Sequence, residues 1–133
     1  MPGPSKSSAV RPRGARSLLA GAVVLAALAV APHALAHSGV QATSPKPGAV
    51  VQALPATITL TFGSRLMRVS SVRVTDAKGV NHATSARLDP RNAARVVVRT
   101  RSPVPGAYRV AWTVQSEDGH SESGAFAFRA RGR

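Results

Sequence analysis

The sequence predicts an antiparallel β-sandwich or barrel, and three observations carry the prediction. Helical periodicity is absent after residue 36. Apolar and polar residues alternate instead, which places the apolar ones on one face of a pleated strand. Clusters of Gly, Pro, Asn and Asp interrupt this alternation about every eight to twelve residues, as turns between short strands do.

The first 36 residues stand apart from this pattern. Lys6, Arg11, Arg13 and Arg16 form a basic stretch with no acid, residues 18 to 31 carry no polar side chain, and Ala34-Leu35-Ala36 supplies a small-x-small site. That order is the pattern of a secretory signal peptide, residues 1–36, cut after Ala36. The 14 apolar residues before Pro32 are fewer than the roughly 20 that a spanning helix needs. The arginines are not adjacent, so a twin-arginine route is not indicated. The exported chain is then a single domain, residues 37–133, that begins at His37.

Within that domain the elements can be taken in order. Pro45, Pro47, Gly48 and Pro55 keep the first segment extended or looped. Thr57 to Phe62 puts Ile58, Leu60 and Phe62 on one face, and Ser71 to Thr75 alternates Val72 and Val74 with polar residues. Asp76-Ala77-Lys78-Gly79 reads as a hairpin turn, Asp89-Pro90-Arg91-Asn92 as a second turn and Pro103-Val104-Pro105-Gly106 as a third. Between them, Arg95 to Thr100 holds Val96-Val97-Val98. The clearest strand places Tyr108, Val110, Trp112 and Val114 on one face, and the last places Gly124, Phe126 and Phe128 together.

Composition narrows the chemistry. There is no cysteine, so no disulfide ties the domain and no thiolate holds a metal. Residues 37–133 keep 14 of the 18 basic residues and all five acids, a formal charge of +9. Arginine outnumbers lysine 15 to 3, which coding bias explains more simply than function. The charge would favour an anionic envelope surface. Nucleic-acid binding is not indicated, because the basic residues are scattered and few aromatics are free to stack. No Gly-x-Ser-x-Gly elbow and no phosphate-cradling glycine loop is present, and Ser116 near Asp118 and His120 does not make a triad.

Three residues are candidates for metal binding. A chain that starts at His37 offers an α-amine and an imidazole from one residue, and the two can close a chelate ring. Asp118 and His120 stand two apart. If the strand continues through them they share a face about 7 Å apart, in line with Tyr108 to Val114. If Glu117-Asp118-Gly119-His120 is instead a hairpin turn, as the Asp-Gly pair favours, they are solvated. The combined set of three nitrogens and one oxygen suits copper(II) in tetragonal geometry, and zinc could take a tetrahedral version. His82 follows the Asp76–Gly79 turn and reads as an exposed turn residue rather than a ligand. Met67, alone after the leader, cannot build the sulfur-rich site copper(I) prefers.

The sequence resembles the CopC family of exported copper-binding proteins. The resemblance lies in His37 with Ser44-Pro45-Lys46-Pro47-Gly48-Ala49, in Leu60-Thr61-Phe62 with Leu66-Met67, and in Trp112-Thr113-Val114-Gln115-Ser116-Glu117-Asp118-Gly119-His120 followed by Gly124-Ala125-Phe126-Ala127-Phe128. It implies a Greek-key, immunoglobulin-like β-sandwich or barrel of about seven or eight strands. It also implies a copper(II) site at His37, Asp118 and His120, and a monomeric carrier that sequesters or delivers copper in the periplasm or another extracytoplasmic space. A CopD-type membrane transporter is the implied partner. Two departures stand out. Gly63-Ser64-Arg65 replaces a family Ser-Glu-Pro whose glutamate lies near copper, and Asn81-His82-Ala83-Thr84 replaces a methionine-rich copper(I) loop.

Two other functions fit parts of the sequence. A terminal histidine with a second histidine also resembles the copper brace of oxidative polysaccharide-cleaving enzymes, but this domain is small and lacks an aromatic binding surface. A metal-free structural sandwich is the remaining possibility. For the copper(II) carrier, protons compete for the His37 amine and for both rings, so affinity should fall from about pH 8 to about pH 5. A titration that gave a flat affinity across that range would contradict the ligand set.

Overall fold

The computed structural model describes Gly3, Pro4 and residues 39–132; the expected leader, its cut after Ala36 and His37 lie outside the described residues. Among the described residues the chain forms eight strands and no helix: β1 Val40–Ser44, β2 Val50–Val51, β3 Thr57–Phe62, β4 Leu66–Asp76, β5 Ala83–Asp89, β6 Asn92–Thr100, β7 Gly106–Ser116 and β8 Ser121–Ala130. They build two four-stranded sheets, ordered β1-β3-β6-β5 and β2-β8-β7-β4. All pairs are antiparallel except β2 with β8. The chain changes sheet between β1 and β2, β2 and β3, β3 and β4, β4 and β5, and β6 and β7. This is the immunoglobulin-type Greek key, with β1, β3, β6 and β5 on one side, β4, β7 and β8 on the other, and β2 added at the edge. The extended segment at Pro45 and Pro47 thus separates two short strands that the sequence reading left unresolved.

The predicted faces form the interior. Ile58, Leu60 and Phe62 from β3 and Val96 and Val98 from β6 are buried against Tyr108, Val110, Trp112 and Val114 from β7 and Phe126 and Phe128 from β8. The intervening Thr57, Thr59 and Thr61 point outward, as period two requires. Aromatic contacts run the length of this core: Tyr108 stacks on Phe128 at 5.5 Å between ring centres, Trp112 meets Phe126 at 6.1 Å, and Phe62 meets Trp112 edge-on at 6.4 Å.

One end of the sandwich is pinned by two polar devices. Near the start of β7, the Tyr108 hydroxyl donates to the Val104 carbonyl (2.6 Å) and accepts from the Val104 N–H (3.0 Å). This is the tyrosine corner of immunoglobulin-type folds. The second device corrects an expectation. His82 is not an exposed turn residue; it is 4% exposed. The turn at Asp76–Gly79 is present, with the Gly79 N–H bonded to the Asp76 carbonyl, but β4 and β5 lie in different sheets, and the crossing between them carries His82 inward. Its Nε2 meets Asp76 Oδ2 at 2.9 Å, its Nδ1 meets the Arg101 carbonyl at 3.0 Å, and its ring packs edge-on against Tyr108 at 5.4 Å. With an acceptor at each ring nitrogen, the arrangement favours the doubly protonated ring, which can donate to both.

The Asp76 hydrogen bond raises the His82 pKa above its ordinary 6.5, against the effect of burial. The same bond lowers that of Asp76 below 3.8. The His82 contribution to stability is therefore full below pH 6.5 and is lost as pH rises through the raised value. The Asp76 contribution is lost as pH falls through the lowered one. Denaturant unfolding should show stability declining from neutral toward alkaline pH, and His82→Ala should flatten that decline.

Candidate metal centre

The inward line of β7 ends on a buried serine. Ser116 continues the parity of Tyr108 to Val114 and is 3% exposed, and beyond it the chain turns. The Gly119 N–H bonds the Ser116 carbonyl (3.0 Å), the Ser116 N–H bonds the His120 carbonyl (2.9 Å), and Gly119 takes φ +89°. This is a three-residue hairpin loop closed by a glycine in left-handed conformation. Of the two readings open for Asp118 and His120, the turn is therefore the one that holds. The strand does not continue through them, and neither lies in the core.

The turn nevertheless brings them together. Asp118 Oδ2 meets His120 Nδ1 at 2.9 Å, and Asp118 Oδ1 accepts from the His120 backbone N–H at 3.2 Å and from the Ser116 hydroxyl. The Ser116 Oγ also bonds the His120 carbonyl at 3.1 Å. Both acid and ring are largely exposed, with side chains 66% and 80% accessible. The Ser116 hydroxyl, then the His120 ring and N–H, hold the Asp118 carboxyl well below the usual carboxylate range. Asp118, through its hydrogen bond and its charge, raises the His120 ring, with a smaller push from Glu122. This is not a nucleophilic triad, because the serine donates to the carboxylate and has no base beside it. Ser116 instead anchors the pair to the core. Its parity with the β7 core line is the sequence signal that marks it, since a serine at a buried strand end needs a local acceptor.

Two other segments meet this turn. The loop Gly63-Ser64-Arg65 between β3 and β4 bonds it directly, the Glu117 N–H donating to the Arg65 carbonyl at 3.1 Å, and Ser64 is exposed on that loop. On its other side the loop bonds the beginning of the described chain, the Gly63 N–H donating to the Gly39 carbonyl at 2.9 Å. Gly39 also lies against β8: with φ +64° it packs so closely on Glu122 that a Cβ would collide with Oε2. Glycine holds this left-handed φ without strain, and a side chain here would also displace the end of the Glu122 side chain. Glu122 is half-buried on the inward face of β8, paired with Val114. It is a further residue of this end that the sequence reading missed, although it extends the Gly124–Phe126–Phe128 line.

Asp118 and His120 are thus together, and the residue two positions after His37 lies at the same end of the sandwich. Among the described residues, no three His, Asp or Glu side chains are gathered closely enough to hold an ion. His82 is at the far end and both its nitrogens are committed. His37 itself lies outside the described residues. The Asp118–His120 pair offers one imidazole Nε2, unbonded among the described residues, beside one carboxylate. That is half a nitrogen–oxygen site for a borderline cation such as copper(II) or zinc.

A family model described as CopC domain matches residues 40–131. The curated relative Protein YobA of Escherichia coli K12 is 31% identical over 120 residues, 88% of this chain and 97% of its own length. The fold is also that of CopC from Methylosinus trichosporium OB3b, with a TM-score of 0.65 at 23% identity, covering 73% of this chain and 96% of that one. PcoC, a methionine-rich copper resistance protein from Escherichia coli, aligns with a TM-score of 0.56 at 24% identity, over 69% of this chain and 96% of that one. At these identities the two structural likenesses are likenesses of fold.

The turn geometry makes a direct prediction. Space around Gly119 is open, so Gly119→Ala meets no clash but must hold a left-handed backbone. Urea unfolding should show a loss of roughly 1–2 kcal/mol.

Proposed function

Because the chain belongs to the CopC domain family, we propose that it is an exported copper(II)-binding protein that sequesters or delivers the ion outside the cytoplasm. In this reading His37, freed by cleavage after Ala36, supplies its α-amine and ring, and Asp118 and His120 supply a carboxylate and a second ring. One observation carries the reading. Asp118 and His120 are held together at an exposed turn, on the end of the sandwich that Gly39 reaches by way of the 63–65 loop. Two residues of chain span at most about 7 Å, so a terminal histidine two positions before Gly39 stays within that distance of the end of the sandwich that Gly39 occupies, and in this reading it supplies the other half of the site.

The donor set favours the oxidised ion. The chain has no cysteine, and its one methionine after the leader, Met67, lies exposed on β4. Copper(I) has no soft cluster here, whereas nitrogen and oxygen donors suit copper(II). Copper is cargo in this account, and no catalytic turnover is needed. A solvent-facing site on a loop suits transfer to a partner, such as a CopD-type membrane transporter, and the net positive charge would favour an anionic envelope surface for the monomer.

The test is a copper(II) titration of protein that begins at His37 against protein with one extra residue before it. The extension abolishes the amine–ring chelate and should weaken binding by at least tenfold, with loss of the visible d–d band. His120→Ala should weaken it comparably. Equal affinity of the extended and unextended proteins would overturn the proposal.

A further inference from the structure

The basic residues are scattered along the sequence, but the fold gathers three of them on one flat face. Cross-strand partners point to the same side of a sheet. Arg109 on β7 pairs with Thr75 of β4 and Ala127 of β8, while Arg73 pairs with Ala111 and Arg129 with Ala107. Arg73, Arg109 and Arg129 are therefore diagonal neighbours, about 7–8 Å apart at each step, in an oblique row across β4, β7 and β8. The row has the parity opposite to Tyr108, Val110 and Trp112, so it stands on the outer face of the sheet, and all three arginines are exposed. Thr75, Ala107, Ala111, Ala125 and Ala127 fill the positions around them, and such short side chains leave the guanidinium groups standing clear of the surface. None of the three has an acidic partner among the described residues. The chain has only five acids, and none is on this face. Asp76 is turned to His82, and Asp89 belongs to the other sheet beside Arg95. Glu117 and Asp118 are in the β7–β8 turn, and Glu122 is half-buried on the inward side.

We propose that this face is where the protein rests on a membrane, with Arg73, Arg109 and Arg129 bonding the phosphate groups of anionic phospholipids. A guanidinium presents a planar fork that matches two phosphate oxygens at once and keeps its charge throughout the physiological range. The shape of the face selects a lipid surface over an acidic polymer. A polymer chain is held in a groove or on aromatic platforms, whereas this face is a sheet of small residues and all five aromatics of the chain are buried in the core. The outer face of the other sheet is a poorer candidate, because Arg95 there stands 3.7 Å from Asp89. Three arginines without an apolar anchor give reversible contact rather than fixed attachment, which suits a carrier that must leave. A protein lying on this face carries the β7–β8 turn at its margin, open to the side. The inference deepens the envelope attraction proposed above by naming the face and the lipid class, and it stands or falls whether or not Asp118 and His120 bind copper.

The experiment uses the protein without its leader, since every strand lies within residues 40–130. Cosedimentation compares vesicles of phosphatidylcholine alone with vesicles containing about one third phosphatidylglycerol, at about 0.1 M salt, where exposed charges more than about 10 Å away are screened. Three proteins are compared: wild type, the triple variant Arg73→Gln, Arg109→Gln, Arg129→Gln, and the triple variant Arg87→Gln, Arg91→Gln, Arg99→Gln. The second variant removes the same charge from exposed positions on β5, β6 and the turn between them. Wild type and the second variant should sediment with the anionic vesicles and not with the neutral ones. The first variant should lose about fivefold for each arginine, roughly 100-fold in all, and fall to the level of neutral vesicles. Equal losses in the two variants would overturn the proposal, because net charge alone would then explain the binding. Absence of wild-type binding to anionic vesicles would also overturn it, and retention on alginate without vesicle binding would do so in favour of an acidic polymer. The first variant should keep wild-type copper(II) affinity, so that failure of the metal reading and failure of this one are read separately.

Discussion

The inward face of β7 is the constraint on which the rest of the molecule depends. With no disulfide available, the two sheets are joined by apolar contact across the interior, and Tyr108, Val110, Trp112 and Val114 make the continuous line of that contact. β7 lies between β8 and β4 in its sheet, so its pleat sets the register of both neighbours. A one-residue slip would turn this line to solvent and bring Arg109, Ala111, Thr113 and Gln115 inward. The apolar line therefore also determines where β7 ends, and so where its turn presents Asp118 and His120.

The two ends of that line are finished in opposite ways. At one end the Tyr108 hydroxyl and the His82–Asp76 ion pair are drawn into the protein and fully bonded. Their polar atoms are spent on holding loops against the core. At the other end Ser116 is buried but hands its hydroxyl to an exposed acid, and the charged pair beyond it faces water. A committed imidazole serves stability, and an imidazole with a free nitrogen is available to a ligand. The same residue type thus sits in two environments in one small domain, and burial with two acceptors is what separates them.

Much of this was legible in the sequence. The alternation at Thr57–Phe62 and Tyr108–Val114 gave the core faces, because a strand buried on one face has only one workable parity. The Asp-Gly pair marked the β7–β8 turn for the same local reason. The burial of His82 is not legible locally, because a turn after β4 reads as leading to a neighbouring strand of the same sheet. The chain instead crosses to the opposite sheet, and no local signal distinguishes the two. Ser116 and Glu122 were overlooked as polar residues among many, although each sits in phase with buried neighbours. Parity shows that such a residue points inward but does not name its partner.

The sequence by itself determined the fold class, the inward faces, the absence of soft metal ligands and the three residues proposed to bind copper. These depend on residue type and on spacing along the chain, which are local properties. Only the tertiary structure decided that Asp118 and His120 meet through a turn rather than along a strand. It alone brought Gly39, the 63–65 loop and Glu122 to that same end. Those segments lie far apart in sequence, and their meeting depends on the strand order and register imposed by the packed interior, which no short stretch of residues encodes.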